Sequence, residues 1–274
     1  MGIIYRLVTS RFFQRSGLAR RLNTLMGRVA DWRKPSWVIR MVIRRYIRRY
    51  SINMDDFCNE NETYRSFNQF FTRPLQPLAR TFAQGIASPA EGVITAAGNF
   101  TNHQLFHVKG NHYPLQELLQ MPGFGSGSFA TIYLSPADYH RVHAPFDCTI
   151  RSIRHINGLV HTVDPSFAEK IPELYCTNER VVMQGDSDYG NFFLILVGAL
   201  VVGRIRLNIV ENFHKGYDAA DLSLRLARGD EIGLFELGST VLLIMEKEHL
   251  SGAAVLTERH IKLGEALSPA DIKS

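Results

Sequence analysis

The pattern of apolar and polar positions divides the chain into two parts. From Trp37 to Tyr50 apolar residues recur at helical spacings with arginines between them, which predicts an amphipathic, basic helix. Beyond about residue 80 the apolar residues fall into short runs separated by Gly, Pro, Asn and Asp, which is typical of strands. These runs are GVITAAG, FATIYL, CTIRSI, RVVMQ, FFLILV, VGRIRLNIV and GSTVLLIM. Helices are expected to be fewer in this part, and the segments 115–119 and 166–173 are the favoured ones. The pattern therefore predicts an α+β chain with basic amphipathic N-terminal helices and a β-rich, mostly antiparallel body.

No stretch reaches the 18 or more apolar residues that a membrane-spanning helix needs. The longest candidate, NFFLILVGALVVG at 191–203, is rich in β-branched and aromatic residues and contains Gly198. Two buried strands or one bent strand explain it better than a membrane span. The N-terminal MGIIYRLVTSRFF lacks the long apolar region and small-residue cleavage site of a secretory signal, which argues against export.

Charge is distributed unevenly between the two parts. Residues 1–50 hold 13 Lys and Arg against a single acid, Asp31, whereas the remainder holds 18 bases against 25 acids. A basic end beside an acidic body indicates an anionic partner for that end, either a lipid surface or a nucleic acid. The three cysteines, Cys58, Cys148 and Cys176, form no CxxC motif, so a reducing compartment fits better than a disulfide framework or a zinc ribbon.

The basic helix has the composition of a membrane-surface element. Trp32, Trp37 and the tyrosines at 46 and 50 supply rings that settle at a headgroup boundary, and the arginines suit anionic lipid. This interpretation is favoured over a solvated helix that packs on the body, and nucleic-acid binding ranks third.

Three short segments concentrate reactive side chains beside predicted strands. They are SPAEG at 88–92, SPADYHRVH at 135–143 and FELGST at 235–240. An acid, a histidine and a serine in separate segments are the groups needed for a nucleophile, its base and an orienting carboxylate.

Each of these groups also has an ordinary structural interpretation. His140 and His143 could bind a metal, but no third ligand follows at a zinc spacing. The Gly-Ser pair at 238–239 could be a tight turn into the next strand, and Glu91 and Asp138 could be turn acids. Spacing alone does not decide between these interpretations.

The motifs SPAEGVI, YLSPADYHRVHAP, VGALVVGRI and GDEIGLFELGSTVLL resemble those of the phosphatidylserine decarboxylase proenzyme family, in the same order and with the same spacing. The resemblance runs from about Phe67, in SFNQFFTRPL, to the C-terminal end. It implies a basic helical membrane-associating region at 1–66 and a β-rich decarboxylase domain at 67–274.

The resemblance implies that the chain cuts itself between Gly238 and Ser239. The Ser239 hydroxyl would attack the Gly238 carbonyl, and elimination from the resulting ester, with loss of ammonia, would leave a pyruvoyl group at residue 239. His143 would be the base for this cleavage and Glu91 its orienting carboxylate. The products, chains 1–238 and 239–274, would remain associated.

The implied activity is decarboxylation of phosphatidylserine to phosphatidylethanolamine and CO2. The pyruvoyl ketone would form a Schiff base with the substrate amine and act as the electron sink, in place of pyridoxal phosphate and with no metal. His140 would handle the carboxylate or the proton of this step. The implied location is the cytoplasmic side of the inner cell membrane, peripherally bound to an anionic surface, with no nucleic-acid partner; a homodimer is compatible with it.

The chain departs from the family pattern in two places. Glu91 stands where the family has Asp, and the segment 208–221 replaces a loop that usually contains tryptophan. Two alternatives therefore remain: a non-processed, non-catalytic homologue that binds anionic lipid, and a pyruvoyl decarboxylase of another amine substrate. Whether residue 239 becomes a pyruvoyl group distinguishes the first alternative from an active enzyme. Assays on a panel of amine substrates distinguish the second alternative from a phosphatidylserine decarboxylase.

Overall fold

A computed structural model of the chain describes residues 18–58, 64–101, 105–108, 111–165, 171, 173–199, 204–236 and 239–267. Within these ranges the helices are α1 (Leu18–Ala30), α2 (Ser36–Tyr50), α3 (Phe67–Phe71), α4 (Leu115–Leu119), α5 (Leu174–Thr177) and a 3₁₀ helix (Glu248–Leu256). The strands are β1 (Gly92–Phe100), β2 (Leu105–Val108), β3 (Asn111–Pro114), β4 (Gly127–Leu134), β5 (Arg141–His143), β6 (Cys148–Ile156), β7 (Arg180–Ser187), β8 (Gly190–Gly198), β9 (Arg204–Leu207), β10 (Asp218–Ala219), β11 (Leu224–Leu226), β12 (Glu231–Glu236), β13 (Ser239–Met245) and β14 (His260–Ile261).

The body is built on a nine-stranded sheet. Its strands run in the order β10, β6, β7, β8, β13, β4, β1 and β14, with β11 also paired to β6. The described pairs within this sheet are antiparallel. A smaller antiparallel sheet contains β5, β12 and β9 in that order. The predicted α+β class with a mostly antiparallel body is confirmed.

The central strand β13 is buried along its whole length. Side chains of a strand alternate between the two faces of a sheet. Val241 and Leu243 pack in one hydrophobic cluster, and Leu242 and Ile244 pack in a second cluster on the other face. A strand covered on both faces is apolar throughout, which explains the unbroken run TVLLIM.

The sequence at 191–203 forms a strand over its described part. β8 contains residues 190–198 and lies between β7 and β13, and residues 200–203 lie outside the described ranges. The predicted helix at 115–119 is confirmed as α4. The predicted helix at 166–173 lies mainly outside the described residues, and the neighbouring described helix, α5, begins at Leu174.

The predicted basic helix is confirmed as α2, and it packs on the body through one face. Ile39 and Ile43 are buried in a cluster that includes Phe70, whereas the arginines of the helix are exposed. Trp32 and Trp37 remain about three-fifths exposed, at 60% and 62%. No helix in the described part of the chain is long and apolar enough to cross a membrane.

A buried ionic cluster fastens the 208–221 segment to the large sheet. Glu179, which is buried, accepts a hydrogen bond from His155 Nε2 at 3.1 Å and pairs with Lys215 Nζ at 2.8 Å. The backbone N–H of Gly216 donates to His155 Nδ1 at 3.0 Å. Burial tends to raise the pKa of Glu179, but the hydrogen bonds from His155 and Lys215 outweigh it and lower that pKa. The segment is therefore held to the sheet through the buried carboxylate of Glu179 and the ring of His155.

Candidate active site

The candidate residues lie at one end of the strands of the large sheet, where β1 and β13 begin and β4 and β8 end. This end of the strands is the sheet edge that carries the site. Ser239, the first residue of β13, pairs with Leu134 of β4 on one side and with Gly198 of β8 on the other. β1 begins at Gly92 on the far side of β4, where Val93 pairs with Tyr133. Because neighbouring strands are about 4.8 Å apart, Ser239 and the start of β1 lie roughly 10 Å from each other.

Gly92 allows β1 to approach β4 closely. A Cβ atom at this position would lie 2.2 Å from the carbonyl oxygen of Tyr133, which is backbone and cannot move aside cheaply. The glycine of the SPAEG motif is therefore required by sterics. It also places the preceding residue, Glu91, at the same edge of the sheet as Ser239.

The hydroxyl of Ser239 is enclosed and unpaired. The residue has 0% exposure, and its Oγ has no hydrogen-bond partner among the described residues. A buried polar group without a partner costs about 1–3 kcal/mol, so such groups in folded proteins call for an explanation. A hydroxyl that is used chemically is one such explanation.

The turn that carries His140 leaves β4 directly after Leu134, the residue opposite Ser239. Its carbonyl groups are held from two sides: Tyr46 of α2 donates to Pro136 O at 3.1 Å, and Arg73 Nη2 donates to Ala137 O at 2.9 Å. The Asp138 carboxylate accepts from the backbone N–H of Ser135 at 2.6 Å. The turn is thereby fixed both internally and by the N-terminal part of the chain.

His140 is fully buried and neutral, with one nitrogen free. Its Nδ1 lies 2.9 Å from the carbonyl oxygen of Asp138, and since a carbonyl only accepts, Nδ1 carries the proton. Its Nε2 has no partner among the described residues, and its ring lies 4.0 Å from that of Phe71. Burial lowers the pKa of His140 to about 4. At neutral pH the imidazole presents an unprotonated Nε2.

The backbone connects His140 to the strand that precedes Ser239. Phe235 of β12 donates its N–H to the carbonyl oxygen of His140 at 2.9 Å. Residues 237 and 238, which join β12 to β13, lie outside the described ranges, so the predicted cleavage position at Gly238 falls there.

His143 is also neutral, but both of its ring nitrogens are occupied. Nδ1 donates to the carbonyl oxygen of Gly229 at 2.8 Å, and Tyr139 OH donates to Nε2 at 3.1 Å. Burial lowers the pKa of His143. Its backbone N–H donates to Pro89 O at 2.9 Å, which places it beside the SPAEG segment.

The side chain of Glu91 contacts Arg80, although the partner expected from the sequence is His143. Arg80 donates from Nε to Glu91 Oε2 at 2.9 Å and pairs with Asp56 at 2.7 Å. The side chain of Arg80 is only 7% exposed, and a buried guanidinium needs carboxylate partners. The contacts of the described residues therefore bring Glu91 and His143 to one sheet edge without joining them or bonding His143 to Ser239.

Three further residues at this site, Arg73, Arg80 and His260, could not be predicted from the sequence pattern. Arg73 is fully buried, with its guanidinium 4.1 Å from the ring of Phe57, although an arginine is ordinarily exposed. Arg80 and His260 stand outside the three reactive segments, and their partners are remote in sequence. Only the Ser-Pro-x-Asp pattern, which is typical of an Asp-closed turn, indicated the local role of Asp138.

The described residues include no group of three or more His, Cys, Asp and Glu side chains placed to hold a metal ion. What the sheet edge does present is a buried serine hydroxyl and a buried, neutral imidazole, each with a reactive atom free of partners among the described residues. Reactive groups held in this way mark a candidate active site of an enzyme.

Comparison with known proteins identifies the family. The family model for phosphatidylserine decarboxylase matches residues 67–268. A phosphatidylserine decarboxylase proenzyme from Bordetella pertussis is 39% identical over 266 residues, covering 90% of this chain and 89% of its own length. Proteins of the same name from Psychrobacter arcticus and Marinobacter nauticus are 37% and 34% identical, covering 83% and 92% of this chain and 85% and 94% of their own lengths. The chain belongs to the phosphatidylserine decarboxylase family and is a carboxy-lyase.

The protonation state of His140 can be measured directly. Because its pKa is lowered to about 4, its ring C–H resonances should not shift between pH 5 and pH 8 in a nuclear magnetic resonance titration. His260 provides an internal control, since its pKa is raised above the ordinary value of 6.5 and its ring should titrate with a midpoint above that value when the titration is continued to higher pH. His140→Gln assigns the resonance. A His140 midpoint near 6.5 would show that the residue is not enclosed as described.

Proposed function

We propose that this chain cleaves itself before Ser239 and uses the resulting pyruvoyl group to decarboxylate phosphatidylserine to phosphatidylethanolamine and CO2. The observation that carries the proposal is the buried Ser239 hydroxyl, unpaired among the described residues, at the first position of the central strand. The names of the relatives, all proenzymes acting on phosphatidylserine, support the same reaction.

The residues around position 239 fit a pyruvoyl group. Such a group is the carbon skeleton of the residue itself without its nitrogen, so the pairing of β13 with β4 and β8 from Thr240 onward would hold it in place. Its ketone supplies an electron sink for the electron pair released when CO2 leaves the substrate. Residue 239 is fully buried in the uncleaved chain, which limits bulk water at the position where the substrate would react.

Self-cleavage begins with attack by the Ser239 oxygen on the carbonyl carbon of Gly238. The new C–O bond forms as the peptide C–N bond breaks, and the hydroxyl proton is transferred through a base to the departing nitrogen. Removal of the α proton of residue 239 then breaks the Oγ–Cβ bond, which frees the Gly238 carboxylate. Water then adds to the carbon that carries the nitrogen. The oxygen of this water becomes the ketone oxygen, and the nitrogen leaves as ammonia.

His143 is proposed as the base of these proton transfers. It is neutral, its Nδ1–H is oriented by Gly229, and its Nε2 lone pair accepts only the hydroxyl of Tyr139. For catalysis, the hydrogen bond from Tyr139 OH to Nε2 would be replaced by one from the Ser239 hydroxyl. The Nδ1–H group would then donate to Glu91 in place of the Gly229 carbonyl. The distance of roughly 10 Å between the strands that carry Ser239 and Glu91 leaves room for one imidazole between their side chains.

His140 is proposed to transfer the proton of the decarboxylation itself. A substrate ammonium group must lose a proton before it can act as a nucleophile, and the free Nε2 of neutral His140 can accept that proton. The imidazolium so formed can return the proton to the substrate's α carbon after CO2 has left. Its pKa of about 4 makes the neutral ring a weak proton acceptor and the imidazolium a ready donor, so the proton is held only briefly before this return.

Both products of cleavage would stay in one molecule. The small chain would begin with β13, which is hydrogen-bonded along its length between β8 and β4 of the large chain. β14 would add a second pairing, with β1. Separation would expose a buried apolar strand to water, which is unfavourable.

An apolar cavity of about 670 Å³ leads from the N-terminal helices to this sheet edge. Side chains of α1 and α2 line one side, including Val29, Val42 and Tyr46, and Leu134 and Pro136 line the other. A cavity of this size and character accommodates acyl chains. We propose that it receives those of the substrate, with the headgroup directed to residue 239.

The N-terminal helices are proposed to dock on an anionic bilayer. The exposed arginines of α2 supply attraction to anionic headgroups, and the exposed rings of Trp32 and Trp37 supply apolar area beside the cavity. Docking in this orientation would present the cavity to the lipid that the enzyme consumes, from the surface of the membrane.

Replacement of the serine tests the reaction. On vesicles that contain phosphatidylserine, we expect the unaltered chain to release CO2 and Ser239→Ala to release none while binding the vesicles equally well, because only the reactive hydroxyl is lost. Ser251→Ala, in the exposed part of the 3₁₀ helix, is the matched control and should remain active. An unaltered chain that binds vesicles without releasing CO2 would favour a non-catalytic lipid-binding protein. Release of CO2 from soluble amino acids alone would favour another amine substrate.

The assignment of Glu91 is tested by the rate of self-cleavage. Glu91→Ala should slow cleavage about a hundredfold, since a displaced base costs about that much per ångström. Glu91→Asp should remain within about tenfold of the unaltered chain, because the carboxylate is kept. The rates are read from the time course of the two fragments on denaturing gels. If both variants cleave at the original rate, Glu91 does not orient the base.

Membrane docking is tested by vesicle sedimentation. Trp37→Ser should reduce partitioning onto anionic vesicles about tenfold, since burial of an indole ring is worth several times the thermal energy. Val255→Ser is the control, because Val255 is 76% exposed on the 3₁₀ helix of the body, outside the proposed docking helices. Equal losses for the two variants would contradict docking through α2.

A further inference from the structure

One histidine of the segment after Ser239 contacts the turn that holds His140. His260 Nε2 donates a hydrogen bond to Asp138 Oδ1 at 2.8 Å. The side chain of His260 is 47% exposed, whereas that of Asp138 is 7% exposed. After cleavage at Ser239 this bond would join the small chain to the large one. Neither the sequence motifs nor the proposed proton transfers account for it.

Asp138 connects His260 to the ring of His140. One carboxylate oxygen accepts from His260 and the other accepts from the backbone N–H of Ser135 at 2.6 Å. The carbonyl oxygen of the same residue accepts from His140 Nδ1 at 2.9 Å. A shift of Asp138 would therefore move the acceptor that fixes the orientation of His140 and keeps its Nε2 unprotonated.

We propose that His260 is a positioning residue for decarboxylation, which acts through Asp138 to keep His140 oriented towards residue 239. The inference rests on the proposed role of His140. It gives the segment 239–267 a second function: besides supplying residue 239, the segment secures the turn that carries the histidine of the large chain.

The charges around this pair favour a protonated His260. Asp138 faces it from the turn, Glu91 from the segment before β1, and Glu265 from the loop after β14. Arg73 interacts electrostatically with Asp138. The hydrogen bond to Asp138 is the main cause that raises the pKa of His260, and burial opposes it. The charge-assisted bond is therefore complete at low pH and weakens as the pH rises through this raised pKa.

Two variants of His260 separate positioning from general damage. His260→Ala should lower kcat about tenfold, a smaller effect than the roughly hundredfold cost of a 1 Å displacement, with KM unchanged. His260→Gln keeps a donor but no titratable charge, so it should recover kcat to the level that the unaltered chain shows at high pH and lose the dependence of kcat on the His260 charge. Rates are divided by the amount of cleaved chain, so that slow cleavage does not count as slow decarboxylation.

The matched control is His249→Ala. His249 belongs to the same C-terminal segment but is exposed on the 3₁₀ helix, where its ring lies 5.7 Å from Tyr189. The His249→Ala substitution should leave kcat and the pH profile of kcat unchanged.

A second measurement follows the solvent exchange of the His140 Nδ1–H proton and does not depend on turnover. In full-length protein with ¹⁵N-labelled histidine, the Nδ1–H signal of His140 should exchange slowly with solvent. It should exchange at least tenfold faster in His260→Ala, because the turn is then less firmly held. His260→Gln should restore slow exchange.

The result that overturns the inference is a His260→Ala protein with unchanged kcat, unchanged pH profile and unchanged His140 exchange. Failure of the proposed function has a different signature, because the unaltered chain would then release no CO2 at any pH. A fall in kcat for His260→Ala that His260→Gln does not relieve would also contradict positioning through the hydrogen bond.

Discussion

The burial of β13 at the centre of the nine-stranded sheet is the constraint on which the site depends. Its backbone is paired on both sides and its side chains fill both hydrophobic clusters, so the position of its first residue is fixed by the whole body. Ser239 is consequently shielded from solvent, and its hydroxyl has no partner among the described residues. The same pairing would retain the strand after a cut immediately before it.

Burial also determines the electrostatics of the two histidines. Each donates its Nδ1 proton to a backbone carbonyl, that of Asp138 for His140 and that of Gly229 for His143, and each has a lowered pKa because the charged ring would be desolvated. Both rings are therefore fixed as neutral bases with the lone pair at Nε2. They differ in what that lone pair meets: Tyr139 OH in His143, and no described partner in His140.

The features that depend on local pattern could be predicted from the sequence. The runs FFLILV and STVLLIM are apolar without interruption because both faces of their strands are covered, and the arginines of α2 alternate with the isoleucines that pack on Phe70. Contacts between remote residues could not be predicted in this way. Nothing near Glu91 in the sequence indicates that Arg80 occupies its carboxylate, and nothing near His260 indicates that it meets Asp138, since each contact depends on how the strands are arranged.

The arrangement also connects the N-terminal helices to the candidate active site. Tyr46 of α2 lines the apolar cavity and donates to the same turn that carries His140, so the helix proposed to dock on a membrane and the histidine proposed for catalysis share one set of contacts. This short path is consistent with a lipid substrate that enters from the helices and reacts at the sheet edge.

The central claim, that residue 239 is both the cleavage site and the source of the reactive group, is tested most directly by intact-mass spectrometry of the freshly purified chain. The account predicts two fragments, residues 1–238 and 239–274, with the smaller one lighter by one NH3 than a fragment that begins with serine. A single chain of full mass that persists on incubation would contradict it.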